Sequence, residues 1–187
     1  MTNRAKNQAA RQPKTINGGG DEWYTPSRYL TLVLEVMGGI DCDPASSAIA
    51  QEDIQAGTFY TVQDDGLIHP WKGRVFLNPP YSRGKMAEFA RKFLHEYKAL
   101  NVTEGIVLTH ANTDTGWFHD LAEECSGICF TRGRIRFDRI EDGQRVPGDS
   151  PTTGHCFFYF GPGVLRFKAV FSEIGLVAQE IDRCALF

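Results

Sequence analysis

Nowhere in these 187 residues does an apolar run reach the length needed to cross a bilayer, and no secretory signal pattern opens the chain. Both absences point to a cytoplasmic protein with no membrane partner. Cysteine is sparse: five residues, an odd number in no regular framework, read as free thiols in a reducing compartment. Cys125 and Cys129 have no second pair at ligand spacing, so they read as helix-to-strand packing and no metal is expected. A glycine-rich dinucleotide fingerprint is missing, and so are internal repeats and linkers.

Positive charge is also in deficit. A net charge of −3 argues against holding nucleic acid by bulk electrostatics. The distribution says more than the sum. Residues 1–20 carry Arg4, Lys6, Arg11 and Lys14 and no acid, which leaves the body at −7. This stretch is polar, ends in Gly18-Gly19-Gly20 and cannot bury enough apolar surface to order itself. It is expected to be a disordered basic tail ahead of a single domain, 21–187. A second basic cluster, Arg132, Arg134, Arg136, Arg139 and Arg145, reads either as a solvated strand face or as a phosphate-contacting surface.

What is present is an α/β pattern. Thr25 followed by Pro26 predicts a helix start, a hydroxyl cap and then proline at the first helical position, with Gly38-Gly39 as the stop. A short strand follows at 40–43, then a small-residue loop, a short helix over 48–57 and a strand over 58–61. Asp64-Asp65-Gly66-Leu67 reads as a turn. Val75, Phe76 and Leu77 form a buried strand, and Met86, Phe89, Phe93, Leu94, Tyr97 and Leu100 repeat as a crossover helix of about five turns. The next strand, 106–109, is therefore parallel, with a right-handed connection. Later come a polar loop from His110 to Thr115, a helix around Trp117 and Phe118, and strands over 128–130, 134–137 and 156–160. A hairpin turn is expected at 141–144 and a final helix over 167–174 closed by Gly175. Parallel units first and hairpin character later predict a mostly parallel sheet with an antiparallel edge.

The chain turns on Asn78-Pro79-Pro80-Tyr81-Ser82, directly after the buried strand. Two prolines end the strand and stiffen the loop. The side chain of Asn78 and the carbonyl of Pro79 then offer two fixed acceptors beside an aromatic face. That suits a flat ligand with an amino group, stacked on Tyr81 with both N–H bonds captured. An exocyclic aromatic amine is a poor nucleophile because its lone pair is delocalised. Two acceptors favour pyramidal nitrogen, free the pair, and tighten as charge builds in the transition state. The matching electrophile is a methyl sulfonium held in line. Transfer to carbon would need a cysteine in such a loop, and none of the five is there.

Together these blocks resemble the phage-type (Dam-like) DNA N6-adenine methyltransferases. The resemblance runs from about residue 21 to 161. It is carried by Asp21-Glu22-Trp23-Tyr24-Thr25-Pro26, Asp41-Cys42-Asp43-Pro44-Ala45, Asp65-Gly66-Leu67 with Trp71, Asn78-Pro79-Pro80-Tyr81-Ser82, Thr113-Asp114-Thr115 before Trp117-Phe118, and Gly133-Arg134-Ile135-Arg136-Phe137. It implies a Rossmann-like class I methyltransferase sheet, S-adenosylmethionine as cofactor, and DNA with a flipped adenine as substrate. Catalytic roles fall on Asn78, Pro79, Pro80 and Tyr81. Cofactor contacts fall on Trp23, Tyr24, Thr25, Pro26, Asp41, Asp43, Pro44, Ala45 and Asp65. Asp65 keeps a second reading as a turn acid, and Ser46-Ser47 stand where related enzymes carry glycines. DNA contacts fall on Ser82, Arg83, Lys85, Asn112, Thr113, Thr115, Arg132, Arg134 and Arg136. The same acceptor loop would also serve a protein glutamine or RNA adenine methyltransferase, and a non-catalytic DNA- or cofactor-binding protein stays open beside them.

Overall fold

The computed structural model describes residues 23–82, 84–142, 144–149 and 151–179. The expected basic tail and Arg83 lie outside them. Helix α1, Ser27–Met37, leads into strand β1, Cys42–Asp43, a one-turn helix α2, Gln51–Ile54, and strand β2, Thr58–Phe59. A 3-10 turn, Gly66–Ile68, precedes strand β3, Gly73–Leu77, helix α3, Lys85–Lys98, and strand β4, Val102–His110. Helix α4, Gly116–Glu124, strand β5, Gly127–Thr131, and the hairpin strands β6, Asp138–Glu141, and β7, Gln144–Pro147, follow. Strand β8, His155–Phe160, helix α5, Val164–Phe171, and strand β9, Gly175–Gln179, complete the order.

Seven strands share one sheet in the order β2-β1-β3-β4-β8-β5-β9. The first four are mutually parallel, and β5 runs with them; β8 and β9 run against them. The expected antiparallel edge is β9, but β8 is interior, between β4 and β5. Both faces are covered, which is why the strands read as continuous apolar runs. Phe76, Ile106, Leu108, Phe157 and Tyr159 face α1 and α5. Val75, Leu77, Val107, Phe158 and Phe160 face α3 and α4. Each such side chain contributes about 1.5–3 kcal/mol by leaving water. Helix α1 stops as its composition predicts: Gly38 takes φ 72° and returns its N–H to the Leu34 carbonyl.

Four expectations shift. Helix α1 begins at Ser27 with Pro26 at the cap position, and no side chain caps it, so Thr25 is not the cap. Residues 134–137 bury the alternate side chains Ile135 and Phe137, yet they belong to no strand; β6 starts beyond them. Instead of a strand partner, the Ile135 amide donates to Nδ1 of His155 at 3.4 Å. The short helix ends at Ile54, with Gln55 in the left-handed region at φ 50°, ahead of Gly57. The last helix ends at Phe171, and Gly175 opens β9 rather than closing a helix.

Candidate active site

Strands β1, β3 and β4 all point their carboxyl ends to one edge of the sheet. In an open α/β sheet this is the edge where ligands bind. Strand β3 ends at Leu77, and Asn78 to Tyr81 turn outward there, beside the last residues of β4. Pro79 is buried, while Asn78, Pro80 and Tyr81 are half-buried.

The amide of Asn78 is fixed at both ends. Its Nδ2 donates to the Thr25 hydroxyl at 3.2 Å, and its Oδ1 accepts from the Tyr81 hydroxyl at 2.8 Å. The nitrogen is thus turned towards α1, which leaves the oxygen on the Tyr81 side with one lone pair to spare. No donor among the described residues reaches the Pro79 carbonyl. Both oxygens therefore keep unspent acceptor capacity at this corner. Burial holds the Tyr81 phenol well above its ordinary range, so it stays protonated and keeps donating.

Tyr81 is framed by rings. His110, the last residue of β4, stacks on it with centroids 3.9 Å apart and planes 20° apart. Phe137 meets it edge-on at 5.9 Å, and His155 lies 6.3 Å away. His155 is 2 % exposed, and its Nε2 has no hydrogen-bond partner. Burial first, then the neighbouring His110, pushes its pKa down to about 4; burial lowers that of His110 as well. Neutral imidazoles result. An open cleft of about 160 Å³ adjoins, lined by Tyr81, Ser82, Gly84, Met86, His110, Asn112 and Trp117. Sequence reasoning misses His110, His155 and Trp117 here, and Thr25, a cofactor residue by resemblance, bonds Asn78.

A family model described as DNA N-6-adenine-methyltransferase (Dam) matches residues 12–164. The chain belongs to that family. Curated proteins yield no match, and neither do solved structures. The family's description makes adenine in DNA the substrate and methyl transfer the reaction class.

The other predicted residues divide. Asp43 is buried at the carboxyl end of β1, where it accepts from the Ala45 amide and from Gln51 Nε2 at 3.0 Å. No cation pairs with it among the described residues, and burial, against those hydrogen bonds, pushes its pKa up to about 6. Pro44 lies under Gly66, where a Cβ would collide with its carbonyl; Ala45 is half-buried. Asp41 is elsewhere: at the opposite end of β1, its carboxylate is clamped by the Arg74 guanidinium at 2.7 and 2.9 Å, which holds its pKa low. Asp65 is exposed and caps the 3-10 turn through the Leu67 amide, the turn role. Trp23 lies over Gly148, and Tyr24 is buried, bridged to Asp138 by paired backbone bonds of 2.9 Å. Both seat the β6–β7 hairpin.

Of the residues expected to contact DNA, Ser82, Lys85, Thr113, Arg132, Arg134 and Arg136 are exposed, and Asn112 and Thr115 are half-buried. Lys85 pairs with Glu88, and Arg134 donates to the Pro151 carbonyl. Arg139 and Arg145 turn to acids of the chain itself: Arg139 to Glu141 and Asp149, Arg145 to Asp53. Among the described residues no three His, Cys, Asp or Glu side chains gather as metal ligands, and no helix is long and apolar enough to cross a membrane.

Proposed function

We propose that this protein transfers a methyl group from S-adenosylmethionine to the exocyclic N6 of adenine in DNA, and that residues 21–187 form one class I methyltransferase domain. The observation that carries the reading is the corner at the end of β3. There Asn78 Oδ1 keeps a spare lone pair beside the Tyr81 ring, and the Pro79 carbonyl accepts from no donor among the described residues. Membership of a DNA N-6-adenine-methyltransferase family supports the acceptor atom, and the reversed strand between parallel neighbours supports the sheet type.

The residues at the sheet edge fit the cofactor. Asp43 is a buried carboxylate without a cationic partner, a placement that suits a ligand bearing an ammonium and a sulfonium. Pro44 and Ala45 follow β1 at this edge, and Thr25, just ahead of α1, reaches it through its bond with Asn78, whereas Asp41 is held by Arg74 at the opposite end of β1 and Tyr24 by its bridge to Asp138. When bound, the cofactor supplies an electrophilic methyl. Asn78 and Pro79 take the two amine hydrogens and draw the nitrogen lone pair out of the ring. Tyr81 orients the base and holds Asn78 oxygen-outward. Arg132, Arg134 and Arg136, with Ser82, Lys85, Asn112, Thr113 and Thr115, guide the strand from which the adenine is extruded.

Asn78→Ala tests this. Methyl transfer into unmethylated DNA falls by at least about a hundredfold, as when one transition-state hydrogen-bonding group is lost. Cofactor affinity, measured by calorimetry, changes little. Equal loss of both would remove Asn78 from the acceptor role. Nucleoside analysis of the wild-type product decides the acceptor: N6-methyladenine in DNA supports the reading, and label recovered in protein or RNA overturns it.

A further inference from the structure

The Tyr81 ring is already occupied. His110 covers one face in near-parallel contact, while Phe137 meets the ring edge-on, His155 lies 6.3 Å away and the ring packs against the core beneath α1. The imidazole of His110 makes no hydrogen bond among the described residues; it rests on the Tyr81 ring and, tilted at 5.3 Å, beside the His155 ring. Beside it lies the cleft bounded by Met86, Asn112 and Trp117, with room for a displaced ring.

We propose that His110 is a placeholder for the target base: it occupies the Tyr81 face that an extruded adenine takes, and swings into the adjoining cleft when the base arrives. This rests on the acceptor role proposed for Asn78 to Tyr81. A purine presents a larger π-face than an imidazole and brings two further hydrogen bonds to Asn78 and Pro79, so the exchange favours the base. Without a base, the stack keeps Tyr81 in place, and Tyr81 in turn keeps its bond to Asn78 Oδ1 at 2.8 Å. His110 is then a positioning residue that competes with substrate.

Two substitutions of opposite sign test it. His110→Ala removes the competitor and lowers KM for unmethylated DNA about three- to tenfold, the range of one aromatic stack. KM for the methyl donor stays unchanged. His110→Trp stacks more strongly and raises KM for DNA. Independently of any variant, the wild-type His110 ring protons carry an upfield ring-current shift from Tyr81, lost on saturation with a single-stranded oligodeoxyadenylate. If His110→Ala fails to fold, His110→Trp and the wild-type spectrum still decide. A KM for DNA that is unchanged or raised in His110→Ala, or ring protons that ignore the oligonucleotide, overturns the placeholder while wild-type activity leaves the enzyme reading standing. A wild-type protein that methylates no DNA takes both down.

Discussion

Asn78 shows what a single residue discloses and what it withholds. Its type and its place before two prolines announce an acceptor, because both oxygens come from the motif itself. The hydroxyl that orients it could not be read that way. Thr25 before Pro26 has a local explanation as a cap, and only the folded chain turns its Oγ1 to Asn78. His110 and His155 gave no signal at all, since a histidine at a strand end acquires meaning from the ring that packs against it. Two buried groups near this edge oppose each other in acid. His155, lowered from 6.5 to about 4, stays neutral in the fold while the unfolded chain takes up a proton, so stability is lost as pH falls through that window. Asp43, raised from 3.8 to about 6, takes up its proton first in the fold, so the same acidification adds stability. The wild-type urea midpoint should therefore move little between pH 7 and pH 5. Asn in place of Asp43 leaves His155 uncompensated, and stability falls by about 2 kcal/mol over that interval. A variant whose stability follows the wild type across the range contradicts the assignment.

At the scale of elements, apolar runs, helical periodicity and punctuation carry most of what is legible. The core strands β3, β4 and β8 and the helices α1, α3 and α4 lie within a few residues of expectation, because long apolar runs and Gly or Pro stops leave little choice. Strand β9 escaped because it is a half-buried edge with Leu176 exposed, too weak a pattern beside a better helical one. Residues 134–137 alternate like a strand for a different reason: their inward residues pack on the site, and a histidine ring replaces the ladder. The hairpin beyond them is fastened from outside. Arg145 reaches Asp53 and the Ile49 carbonyl near α2 and covers the Tyr24 ring at 5.2 Å. Its pair is partly buried, so Arg145→Ala should cost about 1 kcal/mol globally but more locally. Amide exchange at Tyr24 and Asp138, which bond to each other across the bridge, should accelerate about tenfold while β4 and β8 amides are unaffected. Uniform acceleration across the sheet would mean that the hairpin is not a separate unit.

For the whole molecule the question is how a body of net negative charge meets a polyanion. The sequence placed five arginines in one late cluster without saying which of them face water. The fold divides them. Arg139 and Arg145 are spent on Glu141, Asp149 and Asp53, so their charge is cancelled within the chain. Arg132, Arg134 and Arg136 are exposed, none has an acid partner among the described residues, and the inward neighbours Ile135 and Phe137 lock their segment against His155 and Tyr81. Under the proposed DNA contacts, binding depends on this local strip rather than on the sum of charges, and Phe137 links the strip to Tyr81. Each phosphate neutralised by such a side chain contributes close to one unit to the dependence of log K on log salt. Replacing the three exposed arginines by alanine should reduce that slope for duplex DNA by about three, with the urea midpoint nearly unchanged. Replacing Arg139 and Arg145 instead should leave the slope almost where it was and lower the midpoint. Fluorescence anisotropy across a potassium chloride series separates the two sets, and equal slopes for both would show that exposure and pairing do not sort these arginines by function.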